Sequence, residues 1–127
     1  IEVPSVKYHE LAASAEAEPS SVIRARVNAA RKTQHKRFHA DRIYCNAQMS
    51  SRHLKKHCRL SEDCRALLKT AMEKLSLSAR AYDRILKVSR TIADLETVSP
   101  SPDDTPITPA HIAEAIQYRT LDRELWR

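Results

Sequence analysis

The segment Leu77 to Leu95, LSARAYDRILKVSRTIADL, decides the fold because its local signals all predict one helix. Ser78 can cap the first turn by accepting a backbone N–H. Apolar residues recur at helical spacing and define one face: Tyr82, Ile85, Leu86, Ile92 and Ala93. The polar residues are expected on the opposite side: Arg80, Asp83, Arg84, Lys87, Arg90 and Asp94. A helix with two such faces packs through its apolar side.

Arg80 lies in the first turn of this helix, at the head of the polar stripe. An arginine in that position can project away from the packing of its own helix and reach a phosphate group. Charged residues opposite an apolar face are, however, what any surface helix shows. The spacing alone therefore leaves a solvated charge and a phosphate contact both open for Arg80.

Glycine is absent from the 127 residues, although average usage would supply roughly nine. A P-loop and a dinucleotide-binding fingerprint both need glycine, because backbone N–H groups must approach phosphate closely. The chain therefore has neither motif and is not a complete P-loop ATPase. One Phe, one Trp and four Tyr, with abundant Ala, Leu, Arg, Lys and Glu, favour helices over sheets. The composition predicts an all-α domain.

The cysteine count and the hydropathy pattern bear on location. The three cysteines are an odd number without C-x-x-C spacing, which indicates reduced thiols rather than a disulfide framework. No apolar run approaches the roughly 18 residues of a membrane span, and the first residues lack the basic and apolar regions of a signal peptide. We therefore expect a cytoplasmic chain with no membrane partner.

Positive charge is concentrated in the first half of the chain. Between Arg24 and Arg59 there are eleven Lys or Arg residues and one acidic residue, Asp41, so the segment carries a formal charge of +10. The whole chain carries +6, which leaves −4 for the remainder. Such segregation favours an anionic partner for the first half, either nucleic acid or nucleotide phosphate.

Most of this charge follows a predicted helix that begins after a cap at Ser20 or Ser21 and runs to about Phe38. Its apolar stripe comprises Ile23, Val27, Ala30 and Phe38. Five basic residues are candidates for contact with DNA or a neighbouring subunit: Arg24, Arg31, Lys32, Lys36 and Arg37. The alternative is a solvated face, since long basic side chains also cover apolar surface. Aromatic residues are sparse, so a nucleic-acid contact would be to phosphate and independent of base sequence.

Three further helices follow from caps and apolar spacing. Ser50 and Ser61 are predicted to cap the first two, and Thr108-Pro109 begins the third with a proline at its first position. The chain is thus predicted to be a small bundle of about five helices. Residues 1–19 are expected to be a linker from an upstream region, residues 20–127 one helical domain, and 97–106 a proline-rich acidic loop. Trp126 in the tail is a candidate docking residue.

A zinc site is one alternative that the sequence raises. Five residues could ligate zinc if folding brought them together: His53, His57, Cys58, Cys45 and Cys64. The metalloprotease pattern fails, because Lys55 and Lys56 lie between the two histidines and would repel a metal. No histidine–aspartate pairing marks a nucleophile. We therefore expect neither a metal site nor a catalytic constellation of this chain's own.

Two blocks of the sequence resemble a known family. Residues 77–95 resemble the sensor 2 helix of magnesium-chelatase-like AAA+ ATPases. Among these ATPases, the resemblance is to the ComM type. The block Thr108 to Arg119, TPAHIAEAIQYR, resembles the last helix of the same C-terminal lid. The resemblance implies that Arg80, at the Ser-Ala-Arg position, is the sensor 2 arginine that reaches the γ-phosphate of ATP. Ser89 departs from the pattern, where Ala is expected.

The resemblance also implies a longer parent protein. Its AAA+ core would lie upstream of Ile1, assemble as a homo-hexamer, use ATP and Mg²⁺, and act on DNA in branch migration during natural transformation. This fragment alone is expected to bind no cofactor. Two alternatives stay open: the lid of a magnesium chelatase subunit or chaperone-like relative, and a stand-alone basic helical module that binds nucleic acid. Whether Arg80 serves its own subunit or a neighbour is also open.

Overall fold

A computed structural model describes residues 5, 17–96 and 105–124. It contains five α-helices: α1 (Ser20–Arg37), α2 (Ser51–His57), α3 (Glu62–Lys74), α4 (Ala79–Glu96) and α5 (Pro109–Glu124). A 3-10 turn, Asn46–Gln48, lies between α1 and α2. Within the described ranges the β-type pairing is one isolated bridge between Leu60 and Ile107. The predicted all-α bundle is confirmed; most of the predicted linker and acidic loop, and Trp126, lie outside the described residues.

The central element is α4, which packs against α1, α2, the 3-10 turn and α5, while α3 packs on α5. One cluster of buried apolar side chains joins these elements: Phe38, Met49, Leu54, Cys58, Cys64, Leu68, Ile85, Leu86, Ile92, Ile107, Ile112 and Ala115. Burying each large aliphatic side chain stabilises the fold by about 1.5–3 kcal/mol. The predicted apolar face of α4 is confirmed except at Tyr82, which is 39% exposed.

Side-chain caps begin three of the helices as predicted. The hydroxyls of Ser61, Ser78 and Thr108 each accept the backbone N–H three residues later, at 3.3, 3.2 and 3.4 Å. These bonds satisfy N–H groups that have no partner inside the helix. The first helix differs, because Pro19 occupies the cap position and makes no side-chain cap bond. The predicted serine cap of α1 is therefore wrong.

The turn between α3 and α4 contains a left-handed residue, Ser76, with φ of 48°. The N–H of Leu77 bonds to the carbonyl of Met72 at 3.0 Å, and the N–H of Ser76 bonds to the carbonyl of Glu73 at 3.4 Å. This pair of bonds is the Schellman ending of a helix, which usually has glycine at the left-handed position. In a chain without glycine, serine adopts that conformation.

Candidate functional site

Arg80 is exposed in the first turn of α4, which confirms its predicted projection from the helix. It makes no hydrogen bond or ion pair with the residues that the structure describes. The first turn of α4 carries no acidic side chain, and Arg84, one turn further on, is also exposed. The positive end of the helix dipole and two guanidinium groups therefore lie together. Such an arrangement can bind a phosphate group.

Four of the five basic candidates on α1 are exposed: Arg24, Arg31, Lys32 and Lys36. Arg24 and Arg31 are seven residues apart, so they lie on the same side of the helix. Arg26 belongs to a separate exposed pair, in which its Nη1 lies 2.8 Å from Oε1 of Glu18. The four exposed residues form what we call the basic face of α1.

Arg37 does not belong to the basic face, and its assignment as a contact residue is corrected. The residue is 6% exposed, and its guanidinium binds the carboxylate of Asp94 through two hydrogen bonds, at 2.8 and 2.5 Å. A third bond, 3.1 Å long, joins Nη1 to the Oδ1 of Asn46. Arg37 is thus satisfied inside the domain, where it cannot touch a partner.

Asp94 is the centre of a buried polar network. Besides Arg37, its oxygens accept from Nε of Arg90 at 3.2 Å and from Nδ2 of Asn46 at 2.8 Å. Asn46 also donates to the hydroxyl of Thr91 at 3.0 Å. The prediction that Arg90 and Asp94 lie on a polar outer stripe is wrong, since they are 3% and 2% exposed. The network binds α1 and the 3-10 turn to α4.

The sequence contained a signal for this burial. Arg37 follows the buried Ala30 by seven residues, and Arg90 and Asp94 follow the buried Leu86 by four and eight. Residues at these intervals share a helix face. Charged residues in register with an apolar stripe are candidates for burial as a pair, and the structure shows that Arg37 and Asp94 are such partners.

Comparison with known proteins assigns this chain to a family. Residues 17–119 match the family described as magnesium chelatase, subunit ChlI C-terminal. The chain belongs to this family. The competence protein ComM of Haemophilus influenzae is 39% identical over 126 residues, which cover 98% of this chain and 23% of that protein. No solved structure matches the chain significantly.

Other relatives match a similar fraction of their length. The uncharacterized protein YifB of Salmonella typhimurium is 37% identical over 108 residues, which cover 85% of this chain and 19% of that protein. An uncharacterized protein of Mycobacterium bovis is 32% identical over 119 residues, 90% of this chain and 22% of that protein. This ChlI C-terminal domain therefore spans less than a quarter of the length of these curated relatives.

The ChlI C-terminal domain exposes an apolar surface on the first half of α1. Val22, Ile23 and Val27 are 48%, 41% and 43% exposed. Ile23 precedes Ala30 by seven residues, so it lies on the side of α1 that is buried further along the helix. The apolar side of α1 is therefore buried at Ala30 but exposed nearer the start of the helix, at Ile23 and Val27.

The candidate zinc ligands are engaged in other contacts or buried in the core. His53 and His57 both face the carboxylate of Asp41, with Nε2 at 3.6 and 3.9 Å from its oxygens. Burial raises the pKa of the Cys58 thiol to about 11, which keeps it protonated and unreactive at neutral pH. The Cys64 thiol donates to the carbonyl of Ile107 at 3.3 Å. Across the described ranges no three His, Cys, Asp or Glu side chains are placed to hold a metal ion.

None of the described helices has the length and hydropathy needed to cross a membrane.

Proposed function

We propose that this chain is the C-terminal lid of a ComM-like AAA+ ATPase and that Arg80 is its sensor 2 arginine. The observation that carries the proposal is the position of Arg80: exposed, without a partner in the described domain, and at the positive end of the central helix. A guanidinium in that setting suits the γ-phosphate of ATP. Membership of the ChlI C-terminal family supports the parent class.

The ATPase core lies in another part of the parent protein in this proposal. The chain has no glycine and hence no P-loop, so the remaining contacts to ATP and Mg²⁺ come from that core. ATP supplies the γ-phosphate whose presence or absence Arg80 detects. The chain's contribution is one charged group, held at the end of a packed helix.

The lid can transmit the state of the nucleotide because its parts are fastened together. The Arg37–Asp94 pair has both side chains fully buried and joins α1 to α4. A rotation of α4 that follows loss of the γ-phosphate therefore carries α1 with it. The apolar side of α1 at Ile23 and Val27 is suited to packing on the upstream core or on a neighbouring subunit of a homo-hexamer.

The substrate in this proposal is DNA, and the process is branch migration in natural transformation. Similarity to the competence protein ComM supports the choice, as does the basic face of α1. Its four side chains would contact backbone phosphates, which requires no base recognition. The lid of a magnesium chelatase subunit is the competing assignment, because the family description names that enzyme.

The experiment measures ATP hydrolysis by the intact protein, with and without branched DNA, in the wild type, Arg80→Ala and Arg52→Ala. Arg52 is the matched control because it is an exposed arginine in the first turn of another helix, α2. We expect Arg80→Ala to reduce turnover at least about 100-fold, in the range of losses seen when a transition-state charge contact is removed. Arg52→Ala should hydrolyse ATP like the wild type.

Measuring turnover with and without branched DNA separates the DNA-motor assignment from the chelatase-like assignment. DNA-stimulated turnover that is lost in Arg80→Ala supports both the motor and the sensor role. Turnover that is lost in the variant but indifferent to DNA supports the sensor role and shifts the substrate to that of a chelatase-like or chaperone-like machine. Normal turnover in Arg80→Ala refutes the sensor assignment.

A further inference from the structure

A cavity of about 430 Å³ opens between the end of α2 and the segment that leads into α5. It is lined by Lys56, His57, Arg59, Arg90, Thr105, Pro106 and Ile107. Of the three lysine or arginine residues in this lining, Lys56 and Arg59 are exposed, and we call them the rim; Arg90 is buried, and we call it the base. None of these lining residues carries a carboxylate. The lining is therefore rich in positive charge, and the carboxylates that pair with its residues are those of Asp41, 3.9 Å from both Lys56 and His57, and Asp94, 3.2 Å from Arg90.

Arg90 is the buried member of this group. Its Nε donates to Asp94, but Nη2 is buried and has no hydrogen-bond partner within the described part of the chain. Leaving a buried charged donor unsatisfied is costly, and buried charges are normally paired. Arg90 is 3% exposed, so bulk water does not provide the missing partner.

Arg90 shares its carboxylate partner with a second guanidinium group. Arg37 and Arg90 both bind the carboxylate of Asp94. Burial, opposed by Asp94 and reinforced by Arg37, lowers the pKa of Arg90. Guanidinium nonetheless stays protonated in proteins. Arg90 is therefore a buried cation that lines the cavity, and its Nη2 has no hydrogen-bond partner among the described residues.

The two rim residues can turn towards the cavity. Arg59 is exposed two residues after the end of α2. Lys56 has a side chain 59% exposed, and its Nζ lies 3.9 Å from Oδ2 of Asp41, which is beyond hydrogen-bonding distance. Both side chains are long and flexible, so an anion in the cavity would gain them as additional ligands.

We propose that this cavity binds a phosphate group, held by Nη2 of Arg90 at its base and by Lys56 and Arg59 at its rim. The site is separate from Arg80. Arg90 follows Arg80 by ten residues, which places it roughly 15 Å further along α4 and about 80° around the helix. The cavity therefore does not depend on the sensor assignment. The phosphate belongs either to a small free anion or to a nucleic-acid backbone.

The test measures binding of inorganic phosphate to the 127-residue chain by titration calorimetry, in a chloride buffer of constant low ionic strength. The same titration is followed by the side-chain Nε–H resonance of Arg90 in a nitrogen–proton NMR spectrum. Arg59→Gln is the test variant, since Arg59 is exposed and its loss leaves the core intact. Arg52→Gln, also exposed and on the preceding helix, is the matched control for loss of one positive charge.

We expect millimolar or tighter binding with a shift of the Arg90 resonance. Arg59→Gln should weaken the affinity about tenfold, as expected for one charge-assisted hydrogen bond, and Arg52→Gln should change it less than twofold. Absence of binding up to 50 mM phosphate overturns the proposal. An equal loss in both variants also overturns it, because that result reports only the general positive charge of the chain.

A second arm identifies the source of the phosphate. A short DNA duplex is titrated into the chain that is saturated with inorganic phosphate. If DNA releases the bound phosphate and shifts the Arg90 resonance away from its phosphate-bound position, the result supports the site and assigns it to the nucleic-acid backbone. Retention of bound phosphate while DNA binds elsewhere supports the site and assigns it to a small anion.

Discussion

Asp94→Asn is the substitution that most directly tests how the lid is held together. Asparagine has nearly the shape of aspartate, so the variant removes charge without creating a cavity. Asp94 accepts four hydrogen bonds, two from Arg37 and one each from Arg90 and Asn46. In the variant, one oxygen remains as an acceptor, and an NH₂ group faces guanidinium donors.

The expected loss of stability is large because both arginines stay charged in the core. Removing one partner of a buried ion pair typically lowers the free energy of unfolding by about 3–5 kcal/mol. Domains of this size have about 5–15 kcal/mol in total. The variant should therefore lose about a fifth or more of its stability, and α1 should separate from α4 before the rest unfolds.

The measurement is urea unfolding followed by circular dichroism, with hydrogen exchange in α1 as a local probe. Glu62→Gln is the matched control, since it also neutralises a carboxylate paired with an arginine. That pair, Glu62 with Arg65 at 3.4 Å, is highly exposed, and the loss of this first-turn charge should lower stability by less than about 1 kcal/mol. A loss below about 1 kcal/mol in Asp94→Asn would refute the reasoning, because the buried charges would then be compensated by something other than Asp94.

Ser76→Gly should stabilise the chain by about 0.5–1 kcal/mol, because glycine tolerates the positive φ of that position; a lower urea midpoint would contradict this. Cys58 has its pKa raised from 9.0 to about 11, so stability should fall as pH rises through that window, where the unfolded thiol ionises first; the decline should be smaller in Cys58→Ala. Replacing Arg24, Arg31, Lys32 and Lys36 by Gln in the intact protein should weaken DNA binding and reduce its salt dependence, without unfolding the domain; unchanged affinity and assembly would leave these residues as a solvated face.

Much of the fold is predictable because its determinants are local. The caps at Ser61, Ser78 and Thr108 each involve a partner three residues away, and the apolar repeats of α3 and α4 follow the helical period. Local pattern also predicts the exposure of Arg80, since it lies opposite the apolar face of its helix. What Arg80 contacts depends on the parent protein, so its role stays a prediction.

The cavity lined by Lys56, Arg59 and Arg90 was not predictable from spacing. Lys56 lies in the last turn of α2 and Arg59 just beyond its end, whereas Arg90 lies some thirty residues later on α4. Only the packing of α2 against α4 brings them to one opening, together with the segment at Thr105. Sequence spacing carries information over one or two turns of a helix, and contacts across a bundle lie outside that range.

The sequence by itself determined the helical class, the helix starts at three caps and the excess positive charge of the first half. Tertiary structure decided which of those charges are available to a partner. Arg37 and Asp94 are separated by 57 residues, and each would be prohibitively costly to bury alone. Burial became favourable only when folding brought the guanidinium and the carboxylate together, since a charge leaves water readily only when its counterion is already in place.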